Sequence, residues 1–277
     1  MTVRDKHVLV TGGSSGIGLA VARRCAASGA RVSLVARGQA RLSDARGAIV
    51  AATPSASIAT LSADVAVESE LLLAIWEAEK ANGPVDILVT SAGTARPGNF
   101  EALPVGVFER SMAVNYFGTL YAVKAVVPGM RQRGGGAIVL ISSGAGLAGL
   151  FGYSAYAPSK FALRGLAETL RAELKGSGVQ VSIVYPPDTD TPQLAEENLT
   201  KPVETKALTA GAGLWTADDV ARVTLEGVER GKFAITPGLP LTALFWLQSL
   251  IAPFLNAHFD RVAARARAAA DSGKSAR

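Results

Sequence analysis

Short apolar runs alternate with longer amphipathic stretches through the first 236 residues of the chain. The apolar runs are typical of strands buried on both faces, and they span residues 7–10, 31–36, 57–61, 85–89, 137–141 and 179–185. Helical spacing of apolar positions follows most of them, at residues 19–28, 68–81, 104–132, 156–175 and 216–230. This alternation predicts a doubly wound α/β fold, in which a parallel sheet carries helices on both faces.

Two stretches depart from the alternation. Residues 186–215 are predicted to form a long loop, and a loop over the carboxyl edge of a sheet is expected to shape substrate choice. A short strand follows at residues 233–235. The second unit, residues 237–277, begins with the uncharged apolar segment 239–257. Basic side chains come after it, at Arg261, Arg265, Arg267, Lys274 and Arg277.

The apolar segment 239–257 predicts contact with a membrane. Its length is near the roughly 20 residues of a membrane span, but Pro240, Gln248 and Pro253 weaken a spanning helix. A monotopic hairpin, or an interfacial helix whose basic flank is attracted to anionic lipid, fits better. The alternative is a helix that belongs to the core or to a dimer interface.

Composition narrows the chemistry that the chain can carry. An apolar fraction of 49% indicates a globular core, and the net charge of +5 suits an anionic membrane surface or a phosphorylated coenzyme. The charge is too diffuse to predict nucleic-acid binding. Cys25 is the single cysteine and His7 and His258 are the two histidines, so the sequence predicts no disulfide and no metal site. The first residues lack the apolar core of a signal peptide, which predicts a cytosolic chain.

A glycine-rich turn, residues 11–18, separates the first strand from the first helix. Glycines let the backbone approach a phosphate, and amides at the helix N-terminus bind it. The predicted coenzyme contacts in this turn are Gly12, Ser14, Ser15, Gly16, Ile17 and Gly18. Residues 12–16 also match the Gly-x-Ser-x-Gly nucleophile elbow of hydrolases. That alternative makes Ser14 a nucleophile and needs a downstream histidine, but His258 lies far from any other motif.

The end of the second strand predicts which coenzyme binds. In dinucleotide-binding folds an acidic residue here binds the ribose 2′-hydroxyl of NAD, whereas an arginine accommodates the 2′-phosphate of NADP. Ala36 occupies the acidic position, Arg37 follows it, and Arg41 lies one helical turn further on. The pair favours NADPH, and the alternative is two solvated arginines on the next helix.

Residues 142–160 carry the strongest candidate for acid–base chemistry. Tyr156 and Lys160 are four residues apart, so they share a face if a helix starts there. A nearby cation favours the phenolate of a tyrosine, and the hydroxyl of Ser143 could hold a carbonyl oxygen for protonation. The Tyr-x-x-x-Lys spacing alone is common, so a surface tyrosine beside a solvated lysine is the alternative.

Taken in order, these motifs resemble the short-chain dehydrogenase/reductase family over residues 5 to 235. The matching positions are Thr11, Gly12, Gly16, Gly18, Ala92, Gly93, Asn115, Ser142, Ser143, Tyr156, Lys160 and the segment from Pro186. The resemblance implies a Rossmann-type sheet of order 3-2-1-4-5-6-7, an NADP(H)-binding domain over residues 1–236, and a homodimer or homotetramer. It also implies coenzyme contacts from Asp64, Val65, Ala92, Gly93, Tyr156, Lys160, Pro186 and Thr189.

The same resemblance assigns roles to four residues. Tyr156 donates a proton to the ketone, Ser143 orients the carbonyl, and Lys160 binds the ribose hydroxyls and lowers the Tyr156 pKa. Asn115 holds a water in the proton relay, unless it is a polar residue satisfied within its own helix. The positions that depart from the family pattern are Ser91, Pro158 and Pro187.

One part of the chain narrows the resemblance further. Residues 185–192 and 195–205 closely resemble the substrate-side loop of 3-ketodihydrosphingosine reductases, and residues 35–37, 151–152 and 161–168 resemble the same subgroup. This implies NADPH-dependent reduction of 3-ketosphinganine to sphinganine, a long-chain lipid ketone, at the cytosolic face of a membrane. Two other functions stay open: reduction of another bulky apolar ketone, such as a steroid or a long-chain 3-oxoacyl group, and a catalytically idle NADP-binding scaffold.

Overall fold

A seven-stranded parallel sheet forms the centre of the computed structural model, which describes residues 2–210 and 213–275. The strands are β1 His7–Thr11, β2 Arg31–Ala36, β3 Ile58–Ser62, β4 Ile87–Thr90, β5 Gly136–Ile141, β6 Val179–Val184, β7 Thr189–Asp190, β8 Trp215–Thr216 and β9 Ala234–Ile235. The sheet has the order β3-β2-β1-β4-β5-β6-β9, while β7 and β8 pair separately. The predicted order 3-2-1-4-5-6-7 is therefore confirmed, with β9 as the seventh strand of the sheet.

Helices cover both faces of this sheet. They are α1 Gly16–Ala27, α2 Gln39–Ala52, α3 Glu68–Asn82, α4 Val105–Ser111, α5 Gly118–Gln132, α6 Tyr156–Glu173, α7 Pro192–Thr200, α8 Val203–Thr209, α9 Ala217–Glu229 and α10 Leu239–Ser275. One apolar core lies between the sheet and α3, α5 and α6, and a second lies between the sheet and α1, α2 and α9. Every residue of β1, β4 and β5 is buried, because each strand has a helix layer on both sides.

The helix predicted over residues 104–132 is interrupted. A π-helical turn, Met112–Phe117, joins α4 to α5 and contains Asn115. Single π turns within α-helices are found frequently at functional sites. The sequence pattern did not reveal the turn, because apolar residues continue on both sides of Asn115.

His7 and Cys25 are buried in the core. The His7 ring lies 2.6 Å from the carbonyl oxygen of Gly83 and 2.8 Å from the hydroxyl of Ser33. Burial raises the pKa of the Cys25 thiol to about 12, so the thiol is inert at neutral pH. Within residues 2–210 and 213–275 there is no group of three or more side chains placed to bind a metal.

Residues 186–215, predicted as a long loop, contain regular structure. Helices α7 and α8 and the strands β7 and β8 lie within this segment. Thr191 is the N-cap of α7, since its Oγ1 accepts a hydrogen bond from the N–H of Leu194. Pro192 occupies the first turn, where no helical hydrogen bond is lost. The loop prediction is wrong, because this threonine–proline start signal of a helix lies among other prolines, which are typical of loops.

The C-terminal segment forms one helix, α10, and not a hairpin. Its residues Leu239–Ala270 are long and apolar enough to cross a membrane, judged by length and composition. Leu241 packs inward and is 7% exposed, whereas Trp246, Leu250 and Phe254 are 74–78% exposed. The prediction of a hairpin is wrong, and so is the alternative that the segment forms a helix buried wholly in the core. Of the predicted basic flank, Arg277 lies outside the described residues.

Candidate active site

One cavity of about 720 Å³ opens at the carboxyl ends of the strands, where α/β sheets bind their ligands. The predicted site residues that line it are Gly12, Ser14, Ser15, Gly16, Ile17, Arg37, Arg41, Asp64, Val65, Ala92, Gly93, Ser143, Tyr156, Lys160, Pro186 and Thr189. Gly18 and Asn115 lie behind this lining. The structure therefore brings together residues that are up to 177 positions apart in the sequence, from Gly12 to Thr189.

The glycine turn has the geometry of a phosphate cradle. Helix α1 begins at Gly16, and Ser15 before it makes no side-chain hydrogen bond to the helix. A Cβ on Gly12 would lie 2.6 Å from the backbone nitrogen of Ala92, and one on Gly18 would lie 2.4 Å from the carbonyl oxygen of Gly12. Gly12 also has a φ of +71°, so both the space and the backbone require glycine. The turn fits the diphosphate of a dinucleotide coenzyme.

Cationic side chains gather near the end of β2. Arg37 and Arg41 are exposed and border the cavity. Arg110 donates from Nη2 to a carboxylate oxygen of Asp64 at 2.8 Å. Burial by itself would raise the pKa of Asp64, but hydrogen bonds from the N–H of Ala66 and from Arg110 outweigh it and lower the pKa. Asp64 is therefore an ionised partner of Arg110.

Tyr156, Lys160 and Ser143 meet in the cavity. Because α6 starts at Tyr156, this tyrosine and Lys160 lie one turn apart, and they are 7% and 4% exposed. Lys160 Nζ donates to the carbonyl oxygen of Ile141 at 3.1 Å and lies 5.6 Å from the centre of the Tyr156 ring. Ser143 lines the cavity together with Tyr156, whereas the hydroxyl of Ser142 donates to the carbonyl oxygen of Lys160 at 3.2 Å.

Burial governs the protonation of this pair. Burial raises the pKa of the Tyr156 phenol, and the carboxylate of Glu197 raises it further, although hydrogen bonds from Ser143 and Gln193 act in the other direction. The pKa of Lys160 is lowered to about 8, again by burial, while Glu197 acts to raise it. The shift of the Tyr156 pKa is opposite to the one that the resemblance implied, because desolvation dominates. At neutral pH the phenol keeps its proton.

Asn115 is fully buried within the π-helical turn. Its Oδ1 accepts from the N–H of Thr94 at 2.8 Å, and its Nδ2 donates to the carbonyl oxygen of Thr94 at 3.0 Å and to the hydroxyl of Ser159 at 2.8 Å. Both amide hydrogens thus have protein partners. The side chain connects the segment after β4 to α6, and is not satisfied within its own helix. The water-relay role stays a prediction.

The departures from the family pattern are accommodated. Pro158 is the third residue of α6, where its missing N–H costs no helical hydrogen bond. The hydroxyl of Ser91 lies 3.2 Å from the position of a Cβ on Gly18, so it packs against the glycine turn. The carbonyl oxygen of Pro187 accepts from the hydroxyl of Thr189 at 2.8 Å, and that of Pro186 accepts from the N–H of Gly144 at 2.9 Å, so both prolines are held in the segment after β6.

A polar cluster beside Tyr156 was not foreseen from the sequence. Tyr153 Oη donates to Glu197 Oε2 at 2.7 Å, and Gln193 Nε2 donates to Oε1 of the same carboxylate at 2.9 Å. Lys201 Nζ lies 3.0 Å from Asp188 and 4.0 Å from Glu197. The i, i+4 spacing of Glu197 and Lys201 was a visible signal, but such pairs are ordinarily solvated.

Aliphatic and aromatic side chains form another part of the cavity wall. They come from α8 and α10, and they are Leu208, Leu241, Leu244, Ile251, Leu255 and Phe259. We call the turn 12–18 with Arg37 and Arg41 the coenzyme wall, and the cavity-lining residues of α7, α8 and α10 the substrate wall. Because both walls belong to one cavity, a dinucleotide and an aliphatic ligand can reach Tyr156 together.

A family model supports this interpretation of the site. The chain matches the model described as short chain dehydrogenase over residues 6–202, and it belongs to that family. It is therefore an oxidoreductase, and the hydrolase alternative built on Ser14 is wrong.

Individual relatives narrow the comparison. The 3-dehydrosphinganine reductase of Danio rerio is 44% identical over 241 residues, which cover 86% of this chain and 73% of that protein. An actinorhodin polyketide ketoreductase with NADPH superposes with a TM-score of 0.76 at 27% identity, over 84% of this chain and 95% of the other. A short-chain dehydrogenase/reductase from Burkholderia phymatum in complex with NAD has a TM-score of 0.82 at 24% identity, over 92% and 96% of the two chains, and shows the fold alone.

Proposed function

We propose that the protein reduces the 3-keto group of 3-ketosphinganine to give sphinganine, in sphingolipid biosynthesis, with NADPH as its coenzyme. The observation that carries the proposal is the meeting of Tyr156, Lys160 and Ser143 in a cavity with a polar coenzyme wall and an aliphatic substrate wall. The identity with the reductase of Danio rerio supports the choice of this lipid ketone.

The chain supplies acid catalysis and orientation. When bound, NADPH supplies the hydride that reduces the ketone carbon. Tyr156 donates its phenolic proton to the ketone oxygen, and a positioned proton donor contributes about 10²–10⁴-fold to the rate. The hydroxyl of Ser143 accepts from the N–H of Ala145 at 3.1 Å, which leaves its own hydrogen to donate to the substrate oxygen. Lys160 holds a positive charge beside the phenol and stabilises the phenolate that remains.

The coenzyme wall supports NADPH over NADH. Ala36 ends β2 without a carboxylate for the ribose 2′-hydroxyl, and Arg37 and Arg41 border the cavity directly after it. The carboxylate of Asp64 is paired with Arg110. A 2′-phosphate bound here meets guanidinium groups that can bind it bidentately.

The proposal includes association with the cytosolic face of a membrane through α10. Trp246, Leu250 and Phe254 are exposed on this helix, and Arg261 and Arg265 follow them. An exposed apolar face with a basic flank is typical of an interfacial helix. Because other side chains of α10 line the cavity, a lipid ketone can approach Tyr156 along the helix without leaving the bilayer fully.

A homodimer or homotetramer formed through α5 and α6 is also proposed. Phe161 on α6 is 37% exposed, and Phe117, next to the start of α5, is 41% exposed. Light scattering is expected to give a multiple of the 28.5 kDa chain mass, and Phe161→Ser is expected to lower it. A wild-type protein that scatters as a single chain would exclude this part of the proposal.

The first experiment follows the oxidation of NADPH, and separately of NADH, by purified protein with 3-ketosphinganine in mixed micelles. Rapid loss of NADPH that Tyr156→Phe abolishes is the expected result. Faster turnover with NADH contradicts the argument from Arg37. If only steroid or 3-oxoacyl ketones are turned over, the proposed mechanism stays supported, but 3-ketosphinganine is not the substrate. Tight NADPH binding without turnover of any ketone supports a scaffold.

A further inference from the structure

Buried carboxylates lie beside the proton donor. Glu197 and Asp188 lie near the ammonium group of Lys201, and Glu197 also acts on the ammonium group of Lys160. Lys201 Nζ is 3.0 Å from Asp188 but 4.0 Å from Glu197, so it neutralises Asp188 more completely. Glu197 is only 6% exposed, and its charge is therefore poorly screened by water.

This arrangement by itself opposes ketone reduction. The ketone oxygen gains negative charge as the reaction proceeds, and a nearby carboxylate raises the energy of that charge. The same carboxylate stabilises the protonated phenol of Tyr156 against ionisation. A substrate that carries its own cation removes the conflict, because the cation lies between the carboxylate and the developing oxyanion.

We propose that the carboxylate of Glu197 binds the ammonium group of a 2-amino ketone and so makes this group a determinant of substrate choice. The inference rests on the proposed function, since 3-ketosphinganine carries its amino group on the carbon next to the ketone. Gln193 and Tyr153 both donate to Glu197, and the ring centre of Tyr153 lies 5.3 Å from that of Tyr156, so the carboxylate lies close to the proton donor. In the proposed complex the amine next to the ketone carbon binds Glu197 while the ketone oxygen stays at Tyr156.

The carboxylate is held ready for such a ligand. Tyr153 and Gln193 each donate to a different oxygen of Glu197, which fixes the plane of the carboxylate and leaves a lone pair on both oxygens. Both donors are neutral, so neither cancels the charge. Glu197 belongs to the substrate wall, and the aliphatic side chains of that wall from α8 and α10 can bind the hydrocarbon tail of the same substrate. A fixed carboxylate loses little conformational freedom when an ammonium binds.

The test compares two ketones on wild type and Glu197→Gln: 3-ketosphinganine, and an otherwise identical ketone without the 2-amino group. Glu197→Gln is expected to lower kcat/KM for the amino ketone by about 10- to 100-fold, the loss typical of one charge-assisted hydrogen bond, and to leave the other ketone within about threefold. Glu197→Asp keeps the charge and is expected to restore part of the preference. NADPH affinity, measured by fluorescence titration, is expected to stay unchanged.

Glu173→Gln is the matched control, because Glu173 is exposed near the end of α6, lies outside the cavity lining, and loses the same charge. It is expected to keep the wild-type ratio of the two kcat/KM values. If Glu197→Gln lowers kcat/KM equally for both ketones, Glu197 only stabilises the structure of α7, and the inference is overturned. If the wild type reduces both ketones equally well, the inference about Glu197 is overturned, but the protein is still a ketone reductase. If the wild type is inactive on 3-ketosphinganine, the proposed function itself is contradicted.

Discussion

The two walls of the cavity follow different physical rules. The glycine turn of the coenzyme wall is made of backbone at the end of β1, where a Cβ on Gly12 would lie 2.6 Å from another backbone atom. The substrate wall is made of side chains from α7, α8 and α10, and all of these lie after residue 191. Backbone contacts of this kind admit few substitutions, whereas a side-chain wall can change its shape by exchange of one aliphatic residue for another. One fold can therefore keep its coenzyme and change its substrate.

The largest effect is expected where the two walls meet. Tyr156→Phe removes the hydroxyl that is proposed to donate the proton and keeps the ring, so kcat is expected to fall by about 10²–10⁴-fold while NADPH still binds. Stopped-flow NADPH oxidation with 3-ketosphinganine measures kcat, and fluorescence titration measures the affinity for NADPH. Retention of more than about half of kcat would require another proton donor.

A glycine exchange tests the rigidity of the coenzyme wall. Gly18→Ala puts a methyl group 2.4 Å from the carbonyl oxygen of Gly12, so it is expected to cost about 1–3 kcal/mol in the free energy of unfolding and to weaken NADPH binding. Gly47→Ala in α2 is the control, because its Cβ would meet nothing within 4 Å, and it is expected to gain up to about 1 kcal/mol. Urea denaturation compares the two. Equal stability of both variants would show that the turn can relax.

The charge of the coenzyme wall is expected to determine the choice of coenzyme. Arg37→Ala removes a guanidinium that is proposed to bind the 2′-phosphate, so the ratio of kcat/KM for NADPH to that for NADH is expected to fall by about 10- to 100-fold. The loss should come from NADPH, with NADH turnover nearly constant. If the ratio of kcat/KM for NADPH to that for NADH is unchanged, Arg37 is a solvated arginine that does not bind the coenzyme.

The smallest effect is expected at the outer face of the substrate wall. Trp246→Ser with Phe254→Ser removes two side chains that are 75% and 78% exposed, so binding to anionic vesicles is expected to weaken about tenfold while the fold stays intact. Leu73→Ser with Trp76→Ser is the control, because both residues are 55% exposed on α3 and far along the chain from α10. Vesicle flotation measures the binding. Equal losses in both double variants would mean nonspecific adhesion.

Local patterns predicted the sheet and much of the site. The buried runs that became β1, β4 and β5 are continuous in sequence, and Tyr156 and Lys160 meet because a helix brings i and i+4 together. The glycine turn is likewise a local signal. These features depend on neighbours in the chain, and neighbours are visible in a sequence.

The remainder depends on contacts between distant segments. Tyr153 and Glu197 are 44 residues apart, and nothing in either segment indicates that they share a hydrogen bond. Asn115 lies in a π turn whose partners, Thr94 and Ser159, come from two other elements. The path of α10 through Pro253 contradicts local propensity, which disfavours proline inside a helix.

The retained proton of Tyr156 makes the rates of ketone reduction and of alcohol oxidation depend differently on pH. A catalyst leaves the equilibrium constant untouched, but the two directions draw on different protonation states of one phenol. Because burial raises the pKa of Tyr156, its phenol is protonated at neutral pH, which is the form that the proposed reduction uses, whereas oxidation of an alcohol would use the phenolate. The oxidative rate should therefore climb steadily as the medium becomes more alkaline, while the reductive rate stays level through the neutral range.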